Sequence, residues 1–396
     1  MAAATLGPMP PPDLRELRAQ LPALGAVAYL NTGAIGPLAL PAARALGAWA
    51  AEAPPRARGS LEGFGRIAAA AAAVRAAAGR LVGAGPEGVA LTANTTQGMN
   101  LAAWGIDWRP GDEVITTAIE HPGVSVPLAV IARRAGARLR VIPAAAAESD
   151  LEGAVAALAG PRTRLVALSH VSWSTGALLD VVGAARAAHA AGALVAVDGA
   201  QSVGTIPVDA PALGVDAYAF PAHKWLLGPE GLGALWVHPE ALERIDLTVA
   251  GLESAVRGSA DGEDGAMRVQ PSARRYEAST LPAALLVAWE AGMTWLDGVG
   301  WPWIHERVRA VQAATRAALA TLPGVEIVTP AGPQAGLVAF RLSGCAPERA
   351  AERLAAEGVV VRAVPRPNAL RASVGFFTDE ADLARLEAGV ARCLSC

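Results

Sequence analysis

The chain has 396 residues, of which 53% are hydrophobic, so it is long enough to form a folded, soluble protein with a large and a small domain. A formal charge of −3 leaves no excess of basic residues for a phosphate backbone, which argues against nucleic acid as a partner. Arginines flank and interrupt the alanine-rich stretch at residues 67–78, so we expect a helix there and no membrane partner.

The start of the chain and its cysteines bear on location. Residues 1–12 lack the basic and apolar regions of a secretion signal and predict a frayed arm. Cys345, Cys393 and Cys396 are an odd number, two of them at the chain end, so they do not suggest a disulfide framework. We therefore expect a cytoplasmic protein.

Short apolar runs alternate with alanine-rich helical stretches through the first two thirds of the chain, which predicts an α/β fold. Runs such as LVAL and LVAV are apolar at successive positions, as in parallel strands that helices cover on both faces. The predicted strands are Gly88–Thr92, Glu113–Ile119, Arg138–Ile142, Arg164–Val171, Ala193–Val197, Ala217–Phe220 and Gly233–Val237.

The rhythm changes after Val237. A glycine-rich, charged stretch at Gly251–Gly265 predicts either a mobile loop near the active site or a solvated connection. From Val325 onward, short β-like segments alternate with two helical ones, which indicates a small α+β domain. The expected organisation is an N-terminal arm and start of the small domain (1–30), a large domain (31–290) and the rest of the small domain (291–396).

Lys224 is the only lysine among 33 basic residues. Surface positions accept arginine equally well, so a single retained lysine suggests a chemical role, although chance in an arginine-rich chain is the alternative. Arginine cannot replace an amine that forms an imine, because its guanidinium stays protonated. Lys224 is therefore the first candidate for a covalent link to an aldehyde.

Asp198 and Lys224 follow two neighbouring predicted strands. Because ligands bind at the carboxyl ends of strands in open α/β sheets, we expect both side chains to face one crevice. Pyridoxal phosphate (PLP) needs this combination: an imine-forming lysine and a carboxylate that keeps the pyridine nitrogen protonated. Alone, Asp198 would also fit a helix cap.

Two further strand ends carry polar residues. TANTTQGMN opens a predicted helix, so its free amides and the hydroxyls of Thr95 and Thr96 predict a phosphate site. The alternative is that the two threonines are ordinary N-caps of the helix. His121 follows the next strand. It could stack on a flat cofactor or be an ordinary loop histidine. No metal site is expected.

Taken together, six motifs resemble the class V aminotransferases of the fold-type I PLP enzymes. They occur in the family's order from Tyr29 to Leu383: TTQGMN, EHPG, HVSWSTG, VDGAQSVG, AHKWLLGPEG and RYEAST. The VDGAQSVG and AHKWLLGPEG blocks look closest to the carbon-sulfur lyase and isopenicillin N epimerase-like branches. The resemblance implies a fold-type I architecture, with a mainly parallel sheet covered by helices in the large domain and a small C-terminal α+β domain.

The resemblance also implies a role for each matching residue. Lys224 would carry PLP as a Schiff base, Asp198 would pair with the ring nitrogen, and His121 would stack on the ring and relay protons. The remaining implied contacts are Gln201 with the ring oxygen, Thr95, Thr96 and His223 with the phosphate, Thr280 with the phosphate of the other subunit of a homodimer, and Arg371, Arg362, Trp173 and Asn31 with the substrate.

Three positions depart from the desulfurase pattern. Trp173 replaces the usual asparagine of HVSN, and Pro221 replaces a serine that binds phosphate. Most importantly, residues 363–370 contain no cysteine, where desulfurases carry the thiol that accepts sulfur as a persulfide. A lyase that eliminates sulfur directly needs no such thiol.

The sequence therefore predicts a PLP enzyme whose small-molecule substrate is an amino acid, with β-elimination of sulfur from cysteine, cystine or a related thioether or sulfoxide as its reaction. The enzymatic alternatives are a cysteine desulfurase or selenocysteine lyase, an isopenicillin N epimerase-like racemase, and an aminotransferase. A silent PLP-binding scaffold is the non-enzymatic alternative. Lys224, Asp198 and Arg371 together argue against it, since a scaffold has no need of all three.

Overall fold

The computed structural model describes residues 12–53, 55–260, 262, 265–332 and 334–394. The N-terminal arm up to residue 11 and Cys396 lie outside the described residues. The strands are β1 (Ala28–Tyr29), β2 (Val89–Thr92), β3 (Glu113–Thr117), β4 (Arg138–Ile142), β5 (Thr163–Ser169), β6 (Leu194–Asp198), β7 (Ala217–Pro221), β8 (Gly233–Val237), β9 (Val325–Ile327), β10 (Leu337–Leu342), β11 (Val359–Val360), β12 (Arg362–Val364) and β13 (Ala369–Ser373).

The largest sheet has seven strands in the order β2-β8-β7-β6-β5-β3-β4. Each predicted strand of the large domain is present within one or two residues. Strands β3 to β7 run parallel, whereas β8 is antiparallel to both of its neighbours. The sheet is thus mainly parallel, as the sequence predicts, with one reversed strand.

Helices cover both faces of this sheet. Alternate residues of the strands point to opposite faces and pack with helices in two separate apolar clusters. Helices α4 and α5 contribute to one cluster, and α3, α7 and α8 to the other. The helices are α1 (Leu14–Ala19), α2 (Leu40–Glu52), α3 (Leu61–Leu81), α4 (Thr95–Trp104), α5 (Pro122–Ala135), α6 (Ala144–Ser149), α7 (Leu151–Leu158), α8 (Val181–Ala190), α9 (Ala283–Val299), α10 (Trp301–Ala320), α11 (Pro347–Ala356) and α12 (Glu380–Leu394).

A smaller antiparallel sheet, β12-β13-β10-β9, forms from the last third of the chain and packs with α10 to α12 around a third cluster. Strand β1 pairs with β11, so residues 28–29 join the C-terminal elements. The α+β character of this region agrees with the predicted fold class. The exact domain boundaries stay a prediction. Helix α9 runs continuously across the boundary that the sequence predicts between residues 290 and 291.

The alanine-rich stretch is part of α3, which extends to both sides of the predicted residues 67–78. In the part of the chain that the structure describes, no helix combines the length and apolar character needed to cross a bilayer.

Candidate active site

A cavity of about 170 Å³ opens at the carboxyl ends of β6 and β7. All the predicted site residues line it except Asn31 and Thr280. Its lining consists of Gly33, Ala34, Asn94, Thr95, Thr96, His121, Trp173, Asp198, Ala200, Gln201, His223, Lys224, Arg362 and Arg371. No described residue of the 251–265 stretch is among them.

Asp198 and Lys224 face each other in this cavity because their strands are adjacent and parallel, with Asp198 opposite Ala219. Asp198 Oδ1 accepts a hydrogen bond from the amide of Ala200 at 2.8 Å. Burial raises the pKa of Asp198, and the nearby Lys224 opposes that rise. Burial lowers the pKa of Lys224 to about 8, with Asp198 again acting in the opposite direction. The site thus holds an amine that loses its proton far more easily than an exposed lysine does.

The start of α4 presents free helix amides to the cavity, and unpaired polar atoms lie beside them. Asn94 caps the helix by accepting from the amide of Gln97 at 2.9 Å, so Thr95 is the first helical residue and not the cap. The ordinary-cap reading of the threonines is therefore wrong. Thr95 Oγ1 and His223 Nδ1 are buried without a hydrogen-bond partner. Since buried polar atoms normally have partners, two unpaired ones beside free helix amides fit the phosphate of PLP.

His121 is the N-cap of α5, where its Nδ1 accepts from the amide of Gly123 at 3.0 Å. Burial, followed by the positive charges of Lys224, Arg362 and Arg371, lowers its pKa to about 4. The ring is therefore neutral at physiological pH and carries its proton on Nε2, since Nδ1 is an acceptor. Trp173 meets the ring edge-on, with centroids 5.1 Å apart.

Two guanidinium groups face the cavity from adjacent strands, because Arg362 of β12 lies opposite Arg371 of β13. Arg371 is fully buried, and its Nη1 donates to the carbonyl of Trp173 at 2.6 Å. Its Nη2 lies 3.4 Å from Asn31 Oδ1, while its Nε has no partner. Asn31 therefore supports Arg371 from outside the cavity lining. The paired cations suit an anionic ligand.

Gln201 is held at the cavity wall between two partners. Its Nε2 donates to the carbonyl of Gly33 at 2.8 Å, and its Oε1 accepts from Trp225 Nε1 at 2.9 Å. A Cβ on Gly33 would lie 2.8 Å from Ser373 Oγ and 2.9 Å from Gln201 Oε1. A larger residue at position 33 would therefore displace the Gln201 or Ser373 side chain. The expected contact of Gln201 with the cofactor oxygen stays a prediction.

Thr280 is exposed and lies outside the cavity lining. Its predicted contact with the phosphate of another subunit therefore stays a prediction.

Sequence reasoning missed three features of the site. Asn94 caps α4, and its position three residues before Gln97 is a recognisable capping signal. Glu120 is buried and accepts from Thr117 Oγ1 at 2.7 Å and Ser169 Oγ at 2.6 Å, and burial raises its pKa to about 7. The third feature is the buried ion pair of Arg75 and Glu277, whose partners are 202 residues apart. No local pattern could have revealed that pairing.

Comparison with known proteins places this site in a family. The family model of the class V aminotransferases matches residues 56–386. A probable cysteine desulfurase of Pseudomonas aeruginosa is 34% identical over 323 residues, covering 78% of this chain and 79% of the relative. A probable cysteine desulfurase of Mycolicibacterium paratuberculosis is 34% identical over 280 residues, which are 70% of this chain but only 40% of that longer protein.

Solved structures of the enzyme C-DES have the same fold. A mutant of it with glycine covalently linked to the PLP cofactor superposes with a TM-score of 0.90 and 30% identity, over 96% of this chain and 99% of the other. A second structure shows the cystine C-S lyase C-DES in complex with its reaction product cysteine persulfide. It superposes with a TM-score of 0.89 and 30% identity, over 94% of this chain and 99% of the other. These matches confirm the predicted fold-type I architecture and PLP dependence: the chain belongs to the class V aminotransferase family of PLP-dependent enzymes.

Proposed function

We propose that this enzyme is a carbon-sulfur lyase that eliminates sulfur from the β-carbon of cysteine, cystine or a related thioether or sulfoxide. The observation that carries the proposal is the short hairpin between β12 and β13, which contains no thiol. Val364 and Ala369 are paired across it, so only residues 365–368 form the connection. A four-residue turn is too short to extend a side chain far from the hairpin, and residues 365–368 contain no cysteine that could accept sulfur.

The described residues support a separate chemical role for each side chain in the proposed reaction. Bound PLP supplies an electron sink that stabilises negative charge at the substrate Cα. Asp198 would hold the proton on the ring nitrogen, and Thr95, Thr96, His223 and the amides of α4 would hold the phosphate. The Lys224 amine, whose low pKa favours its neutral form, would take the proton from Cα. Neutral His121 would offer its Nε2–H toward the substrate side.

The two arginines support an amino acid with more than one anionic group. Arg371, with an unpaired Nε and full burial, would bind the α-carboxylate. Arg362 is the more exposed of the two, and its Cζ lies 5.8 Å from the Trp173 ring centroid, so it would meet a group at the far end of the substrate. Cystine has such a second carboxylate, and a cystine lyase is among the structural neighbours.

A cysteine desulfurase is the second candidate, because the relatives in sequence carry that name. Its persulfide thiol would have to be Cys345, Cys393 or Cys396. Strand β10 begins at Leu337, which lies opposite Ser373, and Asn31 forms a bridge with Ser373. Cys345 follows the other end of β10, so it lies away from this bridge. Cys393 is 3% exposed and packs in the core of the small sheet. Neither position favours sulfur transfer.

A homodimer with shared sites completes the proposal. Large apolar side chains are exposed near the start of α3, where Leu61 is 92% and Phe64 is 61% exposed. A second copy of the chain would cover such residues, and Thr280 would then be free to reach its cavity.

One panel of assays separates these reactions. The purified enzyme is incubated with cysteine, cystine and other amino acids, and pyruvate, sulfide, alanine and optical rotation are measured together. Elimination predicts pyruvate without alanine, with cystine among the best substrates. Alanine with transferred sulfur would instead establish a desulfurase, inversion of rotation a racemase, and formation of a 2-oxo acid from the whole substrate an aminotransferase.

A further inference from the structure

A buried ion pair joins two segments that contribute no residue to the cavity lining. Arg75 Nε and Nη2 donate to the two carboxylate oxygens of Glu277 at 2.8 and 2.6 Å. The side chain of Glu277 is 0% exposed and that of Arg75 is 9% exposed. A two-bond arginine-carboxylate contact of this kind fixes both partners in orientation as well as distance.

On one side, Glu277 anchors the segment that ends in Thr280. The preceding turn at Ala273–Tyr276 is already fastened, because Arg275 Nη1 donates to the carbonyl of Leu242 at 3.0 Å and Tyr276 Oη to that of Ile245 at 2.6 Å. Beyond Glu277 the chain emerges, and both Ser279 and Thr280 are exposed. Glu277 is thus the last fully buried residue before the segment becomes exposed.

On the other side, the same carboxylate supports the phosphate-binding helix of its own subunit. Glu277 Oε1 also accepts from the amide of Leu91 at 2.8 Å. Leu91 lies in β2, the edge strand of the sheet, so this amide meets a side chain in place of another strand. Strand β2 ends at Thr92, and the cap Asn94 and Thr95 follow directly.

We propose that Arg75 and Glu277 are positioning residues that hold the Thr95 segment and the Thr280 segment in a fixed relation. The pair would therefore set the PLP affinity of both sites of a dimer, although it contacts the cofactor in neither. The inference rests on the proposed function, because it takes Thr95 and Thr280 as phosphate contacts in neighbouring subunits. A loss of the pair should then loosen both contacts at once.

The test measures PLP binding to the apoprotein, by absorbance titration, in the wild type and five variants. Glu277→Ala removes the acceptor of both Arg75 and Leu91. The double variant Arg75→Met/Glu277→Met removes the acceptor without leaving a buried unpaired charge, so its fold should be more stable than that of Glu277→Ala. Glu277→Gln keeps an acceptor for Leu91. Thr280→Ala tests the shared site. Asp112→Ala is the matched control.

Asp112 suits this purpose because its carboxylate has the same kinds of partners as Glu277. It accepts from Arg164 Nε at 2.9 Å and from the amide of Arg109 at 2.8 Å, and its side chain is 5% exposed. It precedes β3 and so lies at the amino ends of the parallel strands, away from the cavity. Its replacement should lower the melting temperature and leave the dissociation constant of PLP unchanged.

We expect the dissociation constant of PLP to rise on the order of tenfold in both Glu277→Ala and the double variant, with substantial recovery in Glu277→Gln. A wild-type affinity in the double variant, with a loss confined to the less stable Glu277→Ala, would show that the pair only stabilises the fold and would overturn the inference. Failure of the proposed function looks different. Either the wild type would bind no PLP at Lys224, or Thr280→Ala would bind it as tightly as the wild type.

Discussion

Burial shifts the pKa values of two of the nitrogen bases that line the cavity, Lys224 and His121. Lys224 and His121 both have lowered pKa values, to about 8 and about 4, because each neutral form is favoured away from water and each lies near positive charge. Asp198 is the group that opposes this shift for Lys224. The result is one amine that titrates near physiological pH and one imidazole that stays neutral.

The first prediction concerns the pH dependence of PLP capture by the apoprotein. Only the neutral amine adds to an aldehyde, so the rate should rise with pH and reach half its maximum near pH 8, not near the ordinary value of 10.5. Stopped-flow absorbance measures the rate, and borohydride reduction with peptide mass spectrometry locates the adduct on Lys224. Lys224→Arg should give no adduct. A midpoint above pH 10, or a label at the N-terminal amine, would contradict the assignment.

A second prediction separates the two arginines. Arg371→Ala should lower kcat/KM for every amino-acid substrate, because one side of a buried charge pair is lost. The loss corresponds to a transition-state binding free energy on the order of 2 to 5 kcal/mol. Arg362→Ala should lower it chiefly for cystine and little for cysteine, since only cystine has a distal carboxylate. Steady-state kinetics with both substrates measure the difference. Equal losses for both substrates in Arg362→Ala would place the α-carboxylate at Arg362 instead.

At the scale of elements, the inner strands of the large sheet could be predicted because both of their faces are buried, which leaves apolar runs in the sequence. The edge strand β4 is partly exposed and shows no such run. The reversal of β8 has a readable cause as well. Only residues 222–232 connect β7 to β8, and they contain no helix, so a parallel crossover is not available. The site was only partly predictable. Strand-end residues such as Asp198 could be found, whereas the Arg75–Glu277 contact depends on tertiary packing between distant segments.

The third prediction concerns the start of α4. Asn94→Ala removes the hydrogen bond to the amide of Gln97 and should lower the free energy of unfolding by about 1 kcal/mol. Because Thr95 and the free amides of the same turn are the proposed phosphate contacts, PLP affinity should fall as well. Urea unfolding of the apoprotein and a PLP titration measure the two effects. Asn94→Ser, which keeps a capping oxygen, is the control. Unchanged PLP affinity in Asn94→Ala would show that the cap of α4 does not contribute to cofactor binding.

At the scale of the whole molecule, the cavity combines residues from both ends of the chain. Asn31 forms a bridge with Ser373, which belongs to the same strand as Arg371. A few residues further on, the amide of Gly36 donates to the carbonyl of His223 at 2.7 Å. The segment after β1 therefore links the small sheet to the backbone beside Lys224. The roles proposed for Arg371 in substrate binding and for Lys224 in catalysis would therefore both depend on one continuous piece of chain.

The distribution of cysteines in the whole molecule gives the last prediction, which decides between elimination and desulfuration. The hairpin of residues 365–368 holds no thiol, and the described cysteines, Cys345 and Cys393, lie in the small-domain region outside the cavity lining. Replacing all three cysteines, with alanine at the buried Cys393 and serine at the other two, should therefore leave sulfide release from cysteine nearly unchanged.

The control for this triple variant is the visible absorbance of bound PLP together with the melting temperature, since Cys393 contributes to the core of the small sheet. If those two properties match the wild type while turnover of cysteine is abolished, a protein thiol takes part and the enzyme is a desulfurase. If turnover persists, no persulfide on the protein is needed, and sulfur leaves directly from the β-carbon. In the proposed elimination, Lys224 would be the base and Arg371 and Arg362 would bind the carboxylates, and all three side chains line the cavity.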